Sequence, residues 1–252
     1  MTNHAVSNRS GHAFHRIVWV AALVLALGSL PRTVFAQAAT GDSAVKIGII
    51  GSGNLGGAVG ALWVKSGHPV LFSSRHPEQL KSLVDGLGPL ARAGTVREAL
   101  TFGDVVFVAV PYAAYPQLGK DYAQEFAGKI VIDAGNAVLA RDGEIVKEAR
   151  EKGIGITSAK YLAGARIVRA FNTFNYRRLP GMANRPEGRV GIPMAGDDKE
   201  ALAVASTLVR DAGFDPVIIG GLERAKDFAQ GAPLYGQEIT AQEMQQRAKS
   251  LR

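Results

Sequence analysis

The feature that most constrains the fold is a glycine-rich turn between a short apolar run and a helical pattern. Residues 45–56 read V-K-I-G-I-I-G-S-G-N-L-G, which places the spacing G-x-G-x-x-G at Gly51, Gly53 and Gly56. After a strand, this spacing predicts a dinucleotide-binding turn. Gly51 allows the tight turn, Gly53 lets a pyrophosphate approach the backbone, and Gly56 lets the helix pack closely on the strand. Outside such a setting the same letters would indicate only an ordinary tight loop.

The end of the second predicted strand, 69–72, indicates which dinucleotide is bound. The polar residues that follow this strand are Ser73, Ser74, Arg75 and His76. Enzymes that use NAD place an acidic residue here to hold the ribose 2′-hydroxyl, but no carboxylate occurs between this strand and Glu78. Two hydroxyls and a guanidinium suit a 2′-phosphate, which favours NADP over NAD. A plain polar turn at 73–76 remains the alternative.

The first 36 residues have the pattern of a secretory leader. Arg9 and Arg16 precede an apolar stretch at 17–30, and the small-residue site 34–36 follows. The stretch has 14 residues, fewer than the roughly 20 that span a membrane. We therefore expect a signal peptide at 1–36, a short linker at 37–44, an oxidoreductase domain at 45–252, and export to the periplasm. The alternative is an uncleaved leader that anchors the protein to a membrane.

Charge and cysteine content exclude several classes of function. Loss of Arg9, Arg16 and Arg32 with the leader would lower the formal net charge from +7 to +4, and the remaining basic residues are scattered. This distribution does not predict a nucleic-acid partner, and a small-molecule partner is the simpler expectation. The absence of cysteine excludes thiol nucleophiles, thiolate-bound zinc and iron–sulfur clusters. We predict no metal site.

From residue 46 onward, apolar runs alternate with helical patterns. The runs expected as strands are 46–50, 69–72, 90–93, 104–110, 129–132, 167–171, 190–195 and 216–219. Strands separated by helices predict an α/β fold with right-handed crossovers. We expect a Rossmann-type doubly wound parallel sheet with a small C-terminal α/β extension.

In such a sheet, ligands bind beyond the carboxyl ends of the strands. The residues found just past these ends include Val110, Pro111, Asn136, Phe171 and Asn172. We expect Asn136 and Asn172 to meet at one edge, where their amides can orient a carboxamide or a ribose. The alternatives are a capping role for Asn136 and core positions for Phe171, Tyr112 and Tyr115.

The motifs distributed along the chain resemble those of one known family. They are I-G-I-I-G-S-G-N-L-G at 47–56, S-S-R at 73–75, V-A-V-P at 108–111, D-A-G-N at 133–136, R-A-F-N-T at 169–173 and E-R-A-K-D-F-A-Q-G-A-P-L-Y at 223–235. Over nearly all of 45–236 the chain resembles the coenzyme F420-dependent NADP oxidoreductases and the related reductase domain of the STEAP metalloreductases.

The resemblance implies a role for each matching residue. Ser52, Asn54 and Leu55 would line the phosphate turn, and Ser74 and Arg75 would hold the 2′-phosphate. The path toward the nicotinamide would be formed by Val110, Pro111 and Asn136, with Phe171 and Asn172 near the reacting ring.

The implied activity is hydride transfer between NADP(H) and a deazaflavin (F420) or flavin-like acceptor. Such a reaction depends on positioning and requires no catalytic acid, so no catalytic residue is assigned with certainty. The alternative is a noncatalytic NADP-binding module or an electron-feeding subunit of a metalloreductase-type system. We also expect a homodimer.

Overall fold

Eight strands form a single sheet in the order β3-β2-β1-β4-β5-β6-β7-β8. The computed structural model describes residues 44–251, so the predicted leader and all but the last residue of the linker lie outside the described residues. In chain order the strands are β1 (Ile47–Ile50), β2 (Val70–Ser73), β3 (Ala91–Gly94), β4 (Val105–Val108), β5 (Ile130–Asp133), β6 (Arg166–Arg169), β7 (Gly191–Gly196) and β8 (Asp215–Gly220).

The predicted fold class is confirmed, because strands β1 to β6 all pair in parallel. This part has the strand order of a doubly wound dinucleotide-binding sheet. One neighbour differs from the expected series, since β7 runs antiparallel to β6. A crossover between parallel neighbours usually contains a helix that packs on the sheet. The connection between β6 and β7 carries only a four-residue helix, Leu179–Met182. Strand β8 is again parallel to β7, after a 13-residue helix.

Helices connect most of the parallel strands. The helices are α1 (Asn54–Lys65), α2 (Lys81–Leu87), α3 (Val96–Phe102), α4 (Tyr115–Asp121), α5 (Ala123–Phe126), α6 (Leu139–Asp142), α7 (Ile145–Lys152), α8 (Ile154–Tyr161), α9 (Leu179–Met182), α10 (Lys199–Asp211) and α11 (Ala241–Lys249). Short 3₁₀ helices cover Pro77–Leu80, Tyr112–Ala114 and Leu222–Phe228. Within residues 44–251, no helix is both long enough and apolar enough to cross a bilayer.

The helix starts follow from local sequence. The Thr95 hydroxyl caps α3 by accepting from the Glu98 N–H, and the Glu98 carboxylate accepts from the Thr95 N–H, so two otherwise free N–H groups are satisfied. Asp198 caps α10 by accepting from the Ala201 N–H at 2.8 Å. Helix α1 differs, because its N-cap residue is Gly53 and no side chain caps the helix.

The core lies on both faces of the sheet. Successive residues of β4 alternate between two buried apolar clusters, with Val105 and Phe107 in one and Val106 and Val108 in the other. All four are at most 1% exposed, as expected for a central parallel strand covered on both faces. This rigid centre fixes the strand ends on which the candidate site is built.

Candidate functional site

The glycine-rich turn has the geometry that its spacing predicts. Gly51 has φ +93°, and a Cβ atom there would lie 2.6 Å from the Ala109 carbonyl oxygen. At Gly56 a Cβ would lie 2.2 Å from the Gly51 carbonyl oxygen, so the close approach of α1 to the turn requires glycine. A Cβ at Gly53 would meet nothing within 4 Å. Gly53 therefore faces open space, where a ligand can approach the backbone.

Unpaired polar groups surround that open space. The N-terminus of α1 has no side-chain cap and no acidic residue in its first turn, so its N–H groups and partial positive charge are available to an anion. The Ser52 hydroxyl is buried and has no hydrogen-bond partner within residues 44–251. Buried polar groups are normally paired, so this hydroxyl suits a ligand that accepts hydrogen bonds.

Of the polar residues after β2, one is bonded within the sheet and others are exposed, where they can contact a ligand. The buried Ser73 hydroxyl donates to the Ile49 carbonyl at 2.6 Å, so its proton is already used within the sheet. Ser74 is partly exposed, and its Oγ accepts from the His76 N–H at 3.0 Å. Arg75 is exposed and has no ion-pair partner in the described part of the chain. Glu78, the first carboxylate after β2, lies 3.4 Å from His76.

Two adjoining cavities run along the carboxyl edge of the sheet. The larger, of about 860 Å³, is lined by the glycine turn, by 73–75 and by residues of α4. The smaller, of about 360 Å³, is lined by Asn54, Leu55, Ala109, Val110, Pro111, Ala134, Gly135, Asn136, Arg141 and Tyr176. Val110 and Pro111 line both, so the two cavities lie side by side between the end of β2 and the end of β5, and we refer to them together as the cleft.

Asn136 and Asn172 meet at the far end of this cleft, as expected, but only Asn136 lines it, because Asn172 is 2% exposed and lies behind Asn136. The Asn136 Nδ2 donates to the Asn172 carbonyl at 2.7 Å, and the Asn172 Nδ2 donates to the Asn136 Oδ1 at 3.2 Å. The Asn172 Nδ2 also donates to the Phe228 carbonyl at 3.0 Å, which brings the 223–235 motif behind the pair. The Asn172 Oδ1 is buried and unpaired among the described residues.

The three aromatic residues that the sequence placed at this edge, Phe171, Tyr112 and Tyr115, have their side chains in the core instead. The expectation that Phe171 lies near the reacting ring is corrected by the structure, because its side chain is fully buried in the core. It packs edge to face on Trp63, with ring centroids 5.7 Å apart. Its φ of +61° lies in the left-handed region that residues other than glycine seldom adopt. Tyr112 and Tyr115 are also fully buried and stack on each other at 4.5 Å.

Sequence reasoning missed a buried ion pair beneath the cleft. Asp133 and Arg169 are both 0% exposed, and their side chains approach to 2.7 Å. The Tyr115 hydroxyl donates to the Asp133 Oδ1 at 2.5 Å. Burial, reinforced by the Asp133 carboxylate, raises the pKa of Tyr115 well above its usual value, so the hydroxyl remains a donor. Burial has the largest single effect on the pKa of Arg169 and lowers it, but the Asp133 carboxylate, Tyr115 and Tyr112 act together against burial and raise the pKa overall.

The fold and the cleft together define an NAD(P)-binding protein of the Rossmann class. The uncapped helix, the open space at Gly53 and the unpaired Ser52 hydroxyl fit a pyrophosphate, and the cleft extends from there to the Asn136–Asn172 pair. No group of three or more His, Cys, Asp or Glu side chains within residues 44–251 has the arrangement of a metal site.

Comparison with known proteins agrees with the resemblance seen in the motifs. Residues 46–137 match the family described as NADP oxidoreductase, coenzyme F420-dependent, which confirms the resemblance over this part of the chain.

Two curated relatives and one solved structure extend the similarity beyond residue 137. Metalloreductase STEAP3 from Rattus norvegicus is 30% identical over 188 residues, which covers 73% of this chain and 36% of the relative. Metalloreductase STEAP2 from Mus musculus is 26% identical and covers 73% and 35%. The chain thus spans about a third of these curated relatives. The crystal structure of hypothetical protein SMa0349 from Sinorhizobium meliloti superposes with a TM-score of 0.69 at 28% identity, covering 79% of this chain and 96% of that one.

Proposed function

We propose that the protein is an NADPH-dependent oxidoreductase that transfers hydride between NADP(H) and a deazaflavin (F420) or flavin-like acceptor. The observation that carries this proposal is the cleft at the carboxyl edge of the sheet. Toward one end it has the uncapped N-terminus of α1 and the exposed Arg75, and at the other end it has a pair of hydrogen-bonded amides. These features match the polarity of a dinucleotide.

The phosphate end supports NADP over NAD. In the proposed complex, the α1 N-terminus and the Ser52 hydroxyl hold the pyrophosphate, beside the open face of Gly53. Arg75, with Ser74 beside it, holds the 2′-phosphate, because a guanidinium offers several donors to one phosphate group. A ribose 2′-hydroxyl would need an acceptor in this position, and Glu78 lies beside His76 instead.

The other end of the cleft supports a role in positioning a reacting ring. Val110, Pro111 and Asn136 line the path to this end, and the Asn136–Asn172 bonds hold both amides in fixed orientations. Bound NADPH supplies a hydride, and the chain's own contribution is to orient the nicotinamide and exclude water around it. Hydride transfer between two rings requires no protein nucleophile, in agreement with the absence of cysteine.

The acceptor assignment rests on the family. The family's description names coenzyme F420, and a planar deazaflavin or flavin can stack against a nicotinamide. The similarity to STEAP3 favours a second candidate function, in which the chain binds NADP or feeds electrons to a separate metalloreductase-type partner without reducing a soluble acceptor itself. Tight NADPH binding without turnover would distinguish this candidate.

The test is steady-state oxidation of NADPH by the purified full-length protein with F420, FMN and FAD as acceptors, each repeated with NADH. We expect turnover that is faster with NADPH than with NADH. Asn136→Ala should lower kcat by about tenfold or more, because the ring loses its fixed neighbour. Asn175→Ala is the control, since Asn175 is exposed and bonds only within its own loop. Absence of turnover with every acceptor would contradict the leading proposal.

A further inference from the structure

The buried Asp133–Arg169 ion pair makes hydrogen bonds beyond the contact between its two members. The two residues face each other in register across β5 and β6 and are 0% exposed. Removing two charges from water is costly, and well-packed apolar residues at such positions often give equal or greater stability. A buried pair at the carboxyl end of two central strands is therefore weak evidence for stability alone. Its other contacts indicate what else it does.

Those contacts converge on the backbone of a single residue. The Asp133 Oδ1 accepts from the Gly135 N–H at 2.8 Å, and the Arg169 Nη2 donates to the Gly135 carbonyl at 2.6 Å. Both backbone groups of Gly135 are thus held by the ion pair. A Cβ at Gly135 would lie 2.2 Å from the Tyr115 hydroxyl oxygen, so Tyr115 closes the third side. The turn after β5 has little freedom to move.

The residue after Gly135 is Asn136, which lines the cleft. Its amide exchanges hydrogen bonds with Asn172, and its carbonyl accepts from the Arg141 Nη2 at 2.5 Å. The orientation of Asn136 therefore depends on the turn that Asp133 and Arg169 hold. Gly135 also lines the smaller cavity, so the held turn is itself part of the cleft wall.

We propose that Asp133, Arg169 and Tyr115 are positioning residues that hold the Gly135–Asn136 turn in the geometry needed to orient the nicotinamide end of the bound dinucleotide. This inference rests on the proposed function. The three residues are expected to affect only the nicotinamide half of the ligand. None of them lines the larger cavity, where the pyrophosphate and the 2′-phosphate would bind. The burial that keeps Tyr115 protonated maintains its bond to Asp133 across the physiological pH range.

Binding of two nucleotides tests the inference. NADPH carries both ends of the ligand, whereas 2′,5′-ADP carries only the adenine and 2′-phosphate end. The double variant Asp133→Asn/Arg169→Met removes both charges together, so neither remains buried alone. We expect the Kd for NADPH to rise about tenfold and the Kd for 2′,5′-ADP to stay within about twofold, which is the order of one lost charge-assisted hydrogen bond at one end only. Tyr115→Phe should act in the same direction, by about threefold.

The matched control is Arg166→Met/Asp198→Asn. It removes the ion pair between Arg166 of β6 and Asp198 at the start of α10, whose guanidinium and carboxylate approach to 2.7 Å but line neither cavity of the cleft. It should change neither Kd. An equal loss of affinity for both nucleotides, or an unchanged NADPH affinity, would overturn the inference. If the double variant does not fold, Tyr115→Phe decides by the same criterion. Failure of the wild-type protein to bind either nucleotide would instead overturn the proposed function.

Discussion

At the scale of single residues, the three glycines of the turn differ in whether the fold requires them. Gly51 and Gly56 are required by the fold, because a Cβ would approach backbone atoms to 2.6 Å and 2.2 Å, respectively. Gly53 is not, because its Cβ position is empty and its φ of −76° is accessible to any residue. Of the three glycines, only Gly53 can therefore be substituted to test the approach of a ligand without also disturbing the fold.

Gly53→Ala should thus weaken nucleotide binding without unfolding the protein. We expect its free energy of unfolding to stay within about 1 kcal/mol of wild type, while the Kd for NADPH rises about tenfold because the new methyl group occupies the ligand's side of the turn. Chemical denaturation and nucleotide titration measure the two quantities. Gly57→Ala, whose Cβ would lie 3.9 Å from the nearest side chain, is the control and should leave binding unchanged. Wild-type affinity in Gly53→Ala would contradict this account of the turn.

The residues that sequence reasoning located share one property. The residues Gly51, Gly53, Ser74, Arg75 and Asn136 all follow recognisable strands or spacings, so their place at the cleft could be predicted from the sequence. Asp133 could not, because a carboxylate after an apolar run equally marks a strand end. Its partnership with Arg169 depends on β5 and β6 being neighbours in register. The available signal was Arg169 itself, a charge inside an apolar run.

At the scale of elements, the buried strands were predictable and several helices were not. Continuous apolar runs located β1, β4 and β5 to within a few residues. Helices α7 and α8 were missed because each has only eight residues and Gly153, at φ +88°, separates them. The antiparallel direction of β7 was also missed, because apolar runs indicate a strand but not its direction.

Glu148 of α7 forms hydrogen bonds with side chains of α8, and this contact predicts how the stability of the protein depends on pH. Lys160 and Tyr161 of α8 both donate to its carboxylate at 2.5 Å, and these bonds lower the pKa of Glu148 from about 4.5 to about 2. A carboxylate with a lowered folded-state pKa adds stability above its unfolded pKa and loses that contribution as the pH falls. Wild type should therefore be more stable than Glu148→Gln at pH 6, with the difference shrinking between about pH 4.5 and 2.

Thermal unfolding of both proteins across this range provides the measurement. The control is Glu151→Gln, which changes an exposed carboxylate of the same helix and should show no comparable dependence of the difference on pH. A stability difference between wild type and Glu148→Gln that is constant from pH 6 to about pH 2 would show that Glu148 does not titrate as described.

At the scale of the whole molecule, the cleft is a product of topology. The phosphate turn, the 73–75 segment and the Asn136–Asn172 pair come from parts of the chain far apart in sequence and meet because β1, β2, β5 and β6 end at the same edge. The export of the chain, cleavage after Ala36 and the homodimer stay predictions from the sequence. Intact mass and the N-terminal sequence of protein recovered from the periplasm would test the first two.

The central claim, an NADP site at the end of β2, is tested most directly by the Kd values of NADPH and NADH for wild type, Arg75→Ala and Arg92→Ala. Arg92 is an exposed arginine on the neighbouring strand β3, so its removal matches the change in charge. We expect wild type to prefer NADPH, and Arg75→Ala to lose about 10- to 100-fold in NADPH affinity, the order of one or two charge-assisted hydrogen bonds, with NADH affinity unchanged. Arg92→Ala should keep the preference. Equal wild-type affinity for the two nucleotides, or a preference that survives in Arg75→Ala, would contradict the claim.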